Sequence, residues 1–205
     1  GEAIARALKC KQADSEAEQD AARAEARAGS KILAVDGPPG TGKSFVQHLL
    51  VRRTLERGGR VLYVFLTANH AARARQTFGD AVDIDTFHGA LGDGSDPYYA
   101  RGVLELYALV LVDECFLLQE SLFMHLRRLF LAADMVPCVL LAGDKHQMGS
   151  PGGRPCFMSN SWGRNVRTTT LRYDSEYTQR TSDTSFIRML NKLRVGKPTV
   201  RGGDF

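Results

Sequence analysis

Hydrophobic residues occur in short unbroken runs along this chain, and polar stretches compatible with helices separate them. The runs have the length and composition of strands buried on both faces; they lie at 32–36, 60–66, 81–84, 106–112 and 136–142. The stretches between them favour helices, at about 43–57, 69–78 and 121–133. Buried strands that alternate with helices predict an α/β fold, with a parallel β-sheet flanked by helices on both faces.

The first 29 residues follow another pattern. Residues 2–28 contain no proline or glycine and are rich in alanine, glutamate and arginine, which favours helix. Ser15 and Glu18 have the spacing of a capping box, so we expect a break there and a second helix that ends at Gly29. We therefore predict an N-terminal helical segment, residues 1–29, followed by one domain, residues 30–205.

Composition limits the partners and the cellular compartment that we expect for this domain. Hydrophobic residues make up 43% of the chain, and no run approaches the roughly 18 apolar residues of a membrane span, so we expect no membrane partner. The net charge is +4, and the excess lies after Asn160, where it could meet phosphates or face solvent. Four isolated cysteines argue against a zinc site and for a reducing, intracellular compartment. The start on Gly1 suggests a segment cut from a longer protein.

Candidate chemistry begins directly after the first predicted strand. Residues 37–44 read Gly-Pro-Pro-Gly-Thr-Gly-Lys-Ser, the spacing of a phosphate-binding loop between a strand and a helix. Glycines let several backbone N–H groups face one anion, and the start of the helix adds its positive end. We expect phosphates to contact Gly37, Pro38, Pro39, Gly40, Thr41, Gly42, Lys43 and Ser44. Lys43 would meet the β- and γ-phosphates of ATP, and the Ser44 hydroxyl would bind Mg²⁺.

Two further strand ends carry polar residues. The run 110–112 ends in Asp113 and Glu114; we predict that Asp113 holds the Mg²⁺ shell and that Glu114 polarises the attacking water. The run 140–142 leads into Gly143-Asp144-Lys145-His146-Gln147. The neutral amide of Gln147 could hydrogen-bond a γ-phosphate and so distinguish ATP from ADP.

In order, the segments GPPGTGKS, LTANHAA, DTFHG, VDE and GDKHQ resemble the first RecA-like domain of superfamily 1 helicases. The similarity is strongest to the RecD/Pif-type branch, which moves 5′ to 3′ on DNA. It implies a RecA-like P-loop NTPase fold, ATP and Mg²⁺ as cofactors, and single-stranded DNA as partner. It also implies a second RecA-like domain, in the same polypeptide or in a partner subunit, that residues 1–205 have no room for.

The resemblance also assigns residues. It implies nucleic-acid contacts at two segments, Thr67, Ala68 and Asn69 in the first and Thr86, Phe87 and His88 in the second. It implies that Arg180 reaches the γ-phosphate, because residues 177–196 are similar to the family's segment that ends in L-N-x-x-R-x-G. The adenine-contacting glutamine of the family corresponds to Gln19, with Gln12 as an alternative. The segment between His88 and the VDE strand is short, and its stacking candidates are Tyr98 and Tyr99.

We therefore predict the ATP-hydrolysing motor domain of a DNA helicase, with Lys43, Asp113, Glu114, Gln147 and Arg180 as its catalytic residues. Alone, the chain should bind nucleotide and hydrolyse it slowly. Two alternatives stay open. A viral superfamily 1 RNA helicase shares the VDE-aromatic and GD-x-x-Q segments, and a nucleotide-dependent switch module would bind ATP without responding to nucleic acid.

Overall fold

The computed structural model describes residues 32–92, 102–133, 137–147, 152–171 and 183–194. In this part of the chain six strands form one sheet in the order β3-β2-β4-β5-β1-β6. Every pairing is parallel. The strands are β1 (Ile32–Asp36), β2 (Val61–Phe65), β3 (Asp83–Thr86), β4 (Leu109–Val112), β5 (Cys138–Gly143) and β6 (Arg167–Thr170).

Helices connect the strands, as a parallel sheet requires. They are α1 (Lys43–Glu56), α2 (Ala68–Phe78), α3 (Phe87–Leu91), α4 (Glu120–Ala132), α5 (Asn160–Asn165) and α6 (Thr184–Arg194). Single 3₁₀ turns lie at Gly79–Ala81, Leu104–Leu106, Cys115–Leu117 and Cys156–Met158. None of the helices in the described ranges is long and apolar enough to cross a membrane.

Both faces of the sheet are covered, because side chains alternate along each strand. On β2, Leu62 and Val64 face one core, which contains Phe123 and Leu126 of α4. Val61, Tyr63 and Phe65 face the other core, which contains buried residues of α1 and α2. The prediction of a parallel sheet between two helical layers is therefore confirmed.

Four of the predicted strands form close to their predicted positions. The strands at the two edges of the sheet, β3 and β6, differ from the prediction. β3 occupies Asp83–Thr86, two residues later than predicted, because Gly79–Ala81 forms a turn first. β6 was missed: its sequence Arg-Thr-Thr-Thr is polar and all four residues are exposed on the edge of the sheet. The short helix α3, Phe87–Leu91, was also missed. The predicted N-terminal helical segment lies outside the described residues.

Candidate nucleotide and nucleic-acid site

The phosphate-binding loop lies between β1 and α1 as predicted. Gly40 and Gly42 both have φ of 87°, a left-handed conformation that side chains disfavour. Gly42 is the N-cap of α1, and helix begins at Lys43. The Lys43 ammonium donates to the carbonyl oxygens of Gly37 at 2.6 Å and Pro38 at 3.0 Å. These bonds hold the two ends of the loop together around the backbone N–H groups at the start of the helix.

The start of the loop is also tied to the end of β5. The Gly37 N–H donates to the Gly143 carbonyl over 3.0 Å. Asp36 is fully buried, and its carboxylate accepts from the Lys145 backbone N–H at 3.1 Å and pairs with the Lys145 ammonium at 3.0 Å. A buried carboxylate requires such partners. A backbone hydrogen bond and an ion pair therefore connect the phosphate-binding loop to the turn that leads to Gln147.

Asp113 and Glu114 follow β4 at the same edge of the sheet. The Asp113 N–H donates to the Val64 carbonyl at 3.0 Å, which fixes it beside β2. Glu114 has φ of 52°, and among the described residues no other non-glycine has positive φ. Such a conformation costs about 1–3 kcal/mol and occurs where the surroundings enforce it. Here the neighbour is Gly143, where a Cβ would lie 2.9 Å from the Phe116 ring and 3.2 Å from the Cys115 nitrogen.

The charged groups of the site influence one another. Burial raises the pKa of Glu114 above its ordinary value, and the neighbouring Asp113 raises it further, while Lys43 opposes both. Burial lowers the pKa of Lys43, against the opposing effect of Glu114, Asp144 and Asp113. Because these shifts have common causes, Lys43 and the two strand-end carboxylates belong to one electrostatic cluster. A carboxyl group with a raised pKa in such a cluster is suited to general-base chemistry.

Gln47 belongs to the site although nothing in the sequence indicated it. It lies on α1, one turn after Lys43, and is fully buried. Its amide nitrogen donates to Asp113 Oδ1 at 3.4 Å. Its amide oxygen is buried without a hydrogen-bond partner among the described residues. The helix that follows the phosphate-binding loop thereby contacts the carboxylate predicted to bind Mg²⁺.

The turn after β5 contains a second contact that the sequence did not indicate. The Asp144 carboxylate is almost fully buried and accepts from the Arg194 guanidinium, with the Nη2–Oδ1 distance at 2.7 Å. Arg194 is the last residue of α6. Gln147 lies at the exposed end of the same turn, and its N–H donates to the Asp144 carbonyl at 3.1 Å. Arg180 and Gln19 lie outside the described residues.

The residues predicted to contact nucleic acid lie at the ends of β2 and β3. Thr67 is the N-cap of α2 and accepts from the His70 N–H at 3.4 Å, and Thr86 is the N-cap of α3 and accepts from the Gly89 N–H at 3.1 Å. Since β2 and β3 are neighbours, these two helix starts lie side by side. Thr67, Ala68, Asn69 and His88 are exposed and Thr86 is half-buried.

Phe87 corrects the prediction for this segment. Its side chain is fully buried in the core with Leu91 and α4, so it cannot stack on a base. It anchors α3 beneath the exposed residues instead. The sequence alone could not distinguish an aromatic residue that faces a ligand from one that faces the core.

Comparisons with known proteins agree with this arrangement. The AAA domain family matches residues 14–201, beginning inside the predicted N-terminal segment. No curated protein sequence matches the chain. Among solved structures, the Pif1 helicase from Candida albicans has 19% identity and a TM-score of 0.62, covering 90% of this chain and 45% of that one.

Two structures of Pif1 from Bacteroides are similar as well. The structure bound to ssDNA has 18% identity and a TM-score of 0.59, covering 88% of this chain and 46% of that one. The complex with ADP-AlF4 has 17% identity and a TM-score of 0.60, with the same coverage. The chain thus spans about half the length of these helicases. It belongs to the AAA domain family, a nucleotide-binding family, and shares the RecA-like fold of Pif1 helicases.

Proposed function

We propose that this chain is the ATP-binding and ATP-hydrolysing motor domain of a DNA helicase that moves on single-stranded DNA. The observation that carries the proposal is the convergence of three strand ends at one edge of the sheet. The ends of β1, β4 and β5 bring together the phosphate-binding loop, the Asp113–Glu114 pair and the turn that leads to Gln147. Ligands of parallel α/β folds bind at this edge. Thr67 and Thr86 follow the adjacent strands β2 and β3.

Each group has a distinct role in this proposal. The loop and Lys43 bind the phosphates, Glu114 accepts a proton from the attacking water, and Gln147 contacts the γ-phosphate. Arg180 would add a positive charge there in the transition state, and Gln19 would contact the adenine. The complete site requires a second RecA-like domain, so the chain alone should bind ATP and hydrolyse it slowly.

Mg²⁺ suits the oxygen ligands available here. The Ser44 hydroxyl and the Asp113 carboxylate are hard donors of the type it prefers, and the buried Gln47 amide orients Asp113. When bound, Mg²⁺ would neutralise charge on the phosphates. Ser44 is the second residue of α1 and Asp113 directly follows β4, and both elements lie in the described part of the chain.

Replacing Gln47 with leucine should raise the Mg²⁺ concentration needed for ATP binding by roughly tenfold, because the partner that orients Asp113 is lost. Stability should change little, since leucine has a similar size and removes a buried oxygen without a partner. A titration of Mg²⁺ against binding of a fluorescent ATP analogue measures the effect, and thermal unfolding measures stability. Gln76→Leu, an exposed glutamine on α2, is the matched control. An unchanged Mg²⁺ requirement in Gln47→Leu would remove this role.

Binding of the single strand provides the test of the proposed function. The chain should bind a fluorescent ATP analogue and a single-stranded DNA oligonucleotide, and DNA affinity should fall steeply with salt. It should bind an RNA oligonucleotide of the same sequence less well. Fluorescence anisotropy with both oligonucleotides measures these affinities, with and without the ATP analogue. A preference for RNA would favour the RNA helicase alternative, and ATP binding without affinity for either strand would favour a switch module.

A further inference from the structure

Residues 143–147, the last residue of β5 and the turn after it, connect three parts of the site. Gly143 accepts from the Gly37 N–H at the start of the phosphate-binding loop. Lys145 pairs with the buried Asp36 that ends β1. Asp144, between them, points to α6 and pairs with Arg194. A displacement of this turn would therefore reach the phosphate-binding loop directly.

Two nitrogens of the Arg194 guanidinium donate hydrogen bonds to both oxygens of the Asp144 carboxylate. Arg194 Nε lies 2.9 Å from Oδ1 and 2.8 Å from Oδ2, and Nη2 lies 2.7 Å from Oδ1. The His146 N–H adds a further bond to Oδ1 at 3.0 Å. The side chains are 17% exposed for Arg194 and 1% for Asp144. A carboxylate buried to this degree depends on its cationic partner, because removing one member leaves an uncompensated charge.

Both charges act on the phosphate-binding lysine. Lys43 contacts the Gly37 carbonyl, and the Gly37 N–H contacts Gly143, the residue before Asp144. Burial lowers the pKa of Lys43 most; Asp144 opposes this effect and Arg194 adds to it. Without Arg194, the uncompensated negative charge of Asp144 would compete with the phosphates for the positive charge of Lys43.

We infer that Arg194 is a positioning residue of the nucleotide site, which neutralises Asp144 and so keeps this carboxylate from weakening phosphate binding at Lys43. The planar guanidinium suits this role because it donates two parallel hydrogen bonds to one carboxylate, which lysine cannot do. The inference rests on the proposed function, since it concerns binding of the same nucleotide.

The charge-balance argument can be tested in the 205-residue chain with a fluorescent ATP analogue. Arg194→Gln should weaken binding by roughly tenfold, in the range of measured site couplings. Asp144→Asn combined with Arg194→Gln should return the affinity to within about threefold of the unmodified chain, because no buried charge remains. Arg188→Gln, an exposed arginine on the same helix, should bind as the unmodified chain does. Thermal unfolding of every variant checks that it is folded.

A purely structural arginine would behave differently, because the double variant would then bind no better than Arg194→Gln. That result, or unchanged affinity in a folded Arg194→Gln, overturns the inference. Should Arg194→Gln fail to fold, the double variant decides: affinity near that of the unmodified chain supports the inference, and a tenfold loss overturns it. Failure of the unmodified chain to bind the ATP analogue would instead contradict the proposed function.

Discussion

Replacing Lys43 with methionine should lower affinity for an ATP analogue by at least about a hundredfold, because a charged partner of the phosphates is lost from a partly buried site. Lys43 also donates to the carbonyls of Gly37 and Pro38, so the substitution removes the bonds that close the loop. Lys43→Arg separates these effects, since it keeps the charge but changes the geometry of the donors. Titration of the fluorescent analogue measures affinity for each variant.

Lys192→Met is the matched control, because Lys192 is exposed on α6 and its loss should leave affinity unchanged. The pH dependence gives a second check. Since the pKa of Lys43 is lowered by burial, its ammonium loses its proton at a lower pH than an ordinary lysine does. Affinity should therefore begin to fall earlier on the alkaline side than for an unperturbed lysine. Tight ATP binding by a folded Lys43→Met would contradict the assignment of the loop.

The central strands could be predicted because one requirement, burial of hydrophobic side chains, dominates their sequences. β2 and β4 are buried on both faces, so they read as continuous apolar runs. The phosphate-binding loop was equally easy to recognise, because its glycines and lysine meet the geometric requirements of phosphate binding within eight residues. β6 is different: an edge strand of arginine and threonines has no hydrophobic signature, and its pairing with β1 depends on the tertiary structure.

The supporting contacts of the site could not be predicted for a related reason. Gln47 and Asp113 are 66 positions apart, Asp144 and Arg194 are 50 apart, and Asp36 and Lys145 are 109 apart. Nothing local in the sequence indicates such partners. The positive-φ backbone of Glu114 likewise lies against Gly143 from another strand. The sequence therefore yields hypotheses about which groups react, and the fold determines how these groups are held.

Replacing Glu114 with glutamine should leave ATP binding within about threefold and slow hydrolysis by roughly a hundredfold or more, the usual contribution of a general base. Glutamine keeps the size of the side chain and is no better suited to positive φ, so the substitution removes the base without relaxing the backbone. Since the chain should hydrolyse ATP slowly, single-turnover measurements with excess chain are required. Glu56→Gln, an exposed glutamate on α1, is the matched control and should leave the rate unchanged.

The pH dependence of the hydrolysis rate of the unmodified chain should also show that Glu114 is the base. The base acts in its deprotonated form, and the pKa of Glu114 is raised by burial and by Asp113. The rate should therefore fall, as pH decreases, at a higher pH than it would for an ordinary glutamate. In Glu114→Gln this acidic limb should disappear from the residual rate. An unchanged rate in that variant would mean that another group activates the water, and a loss of ATP binding would mean that Glu114 shapes the site instead.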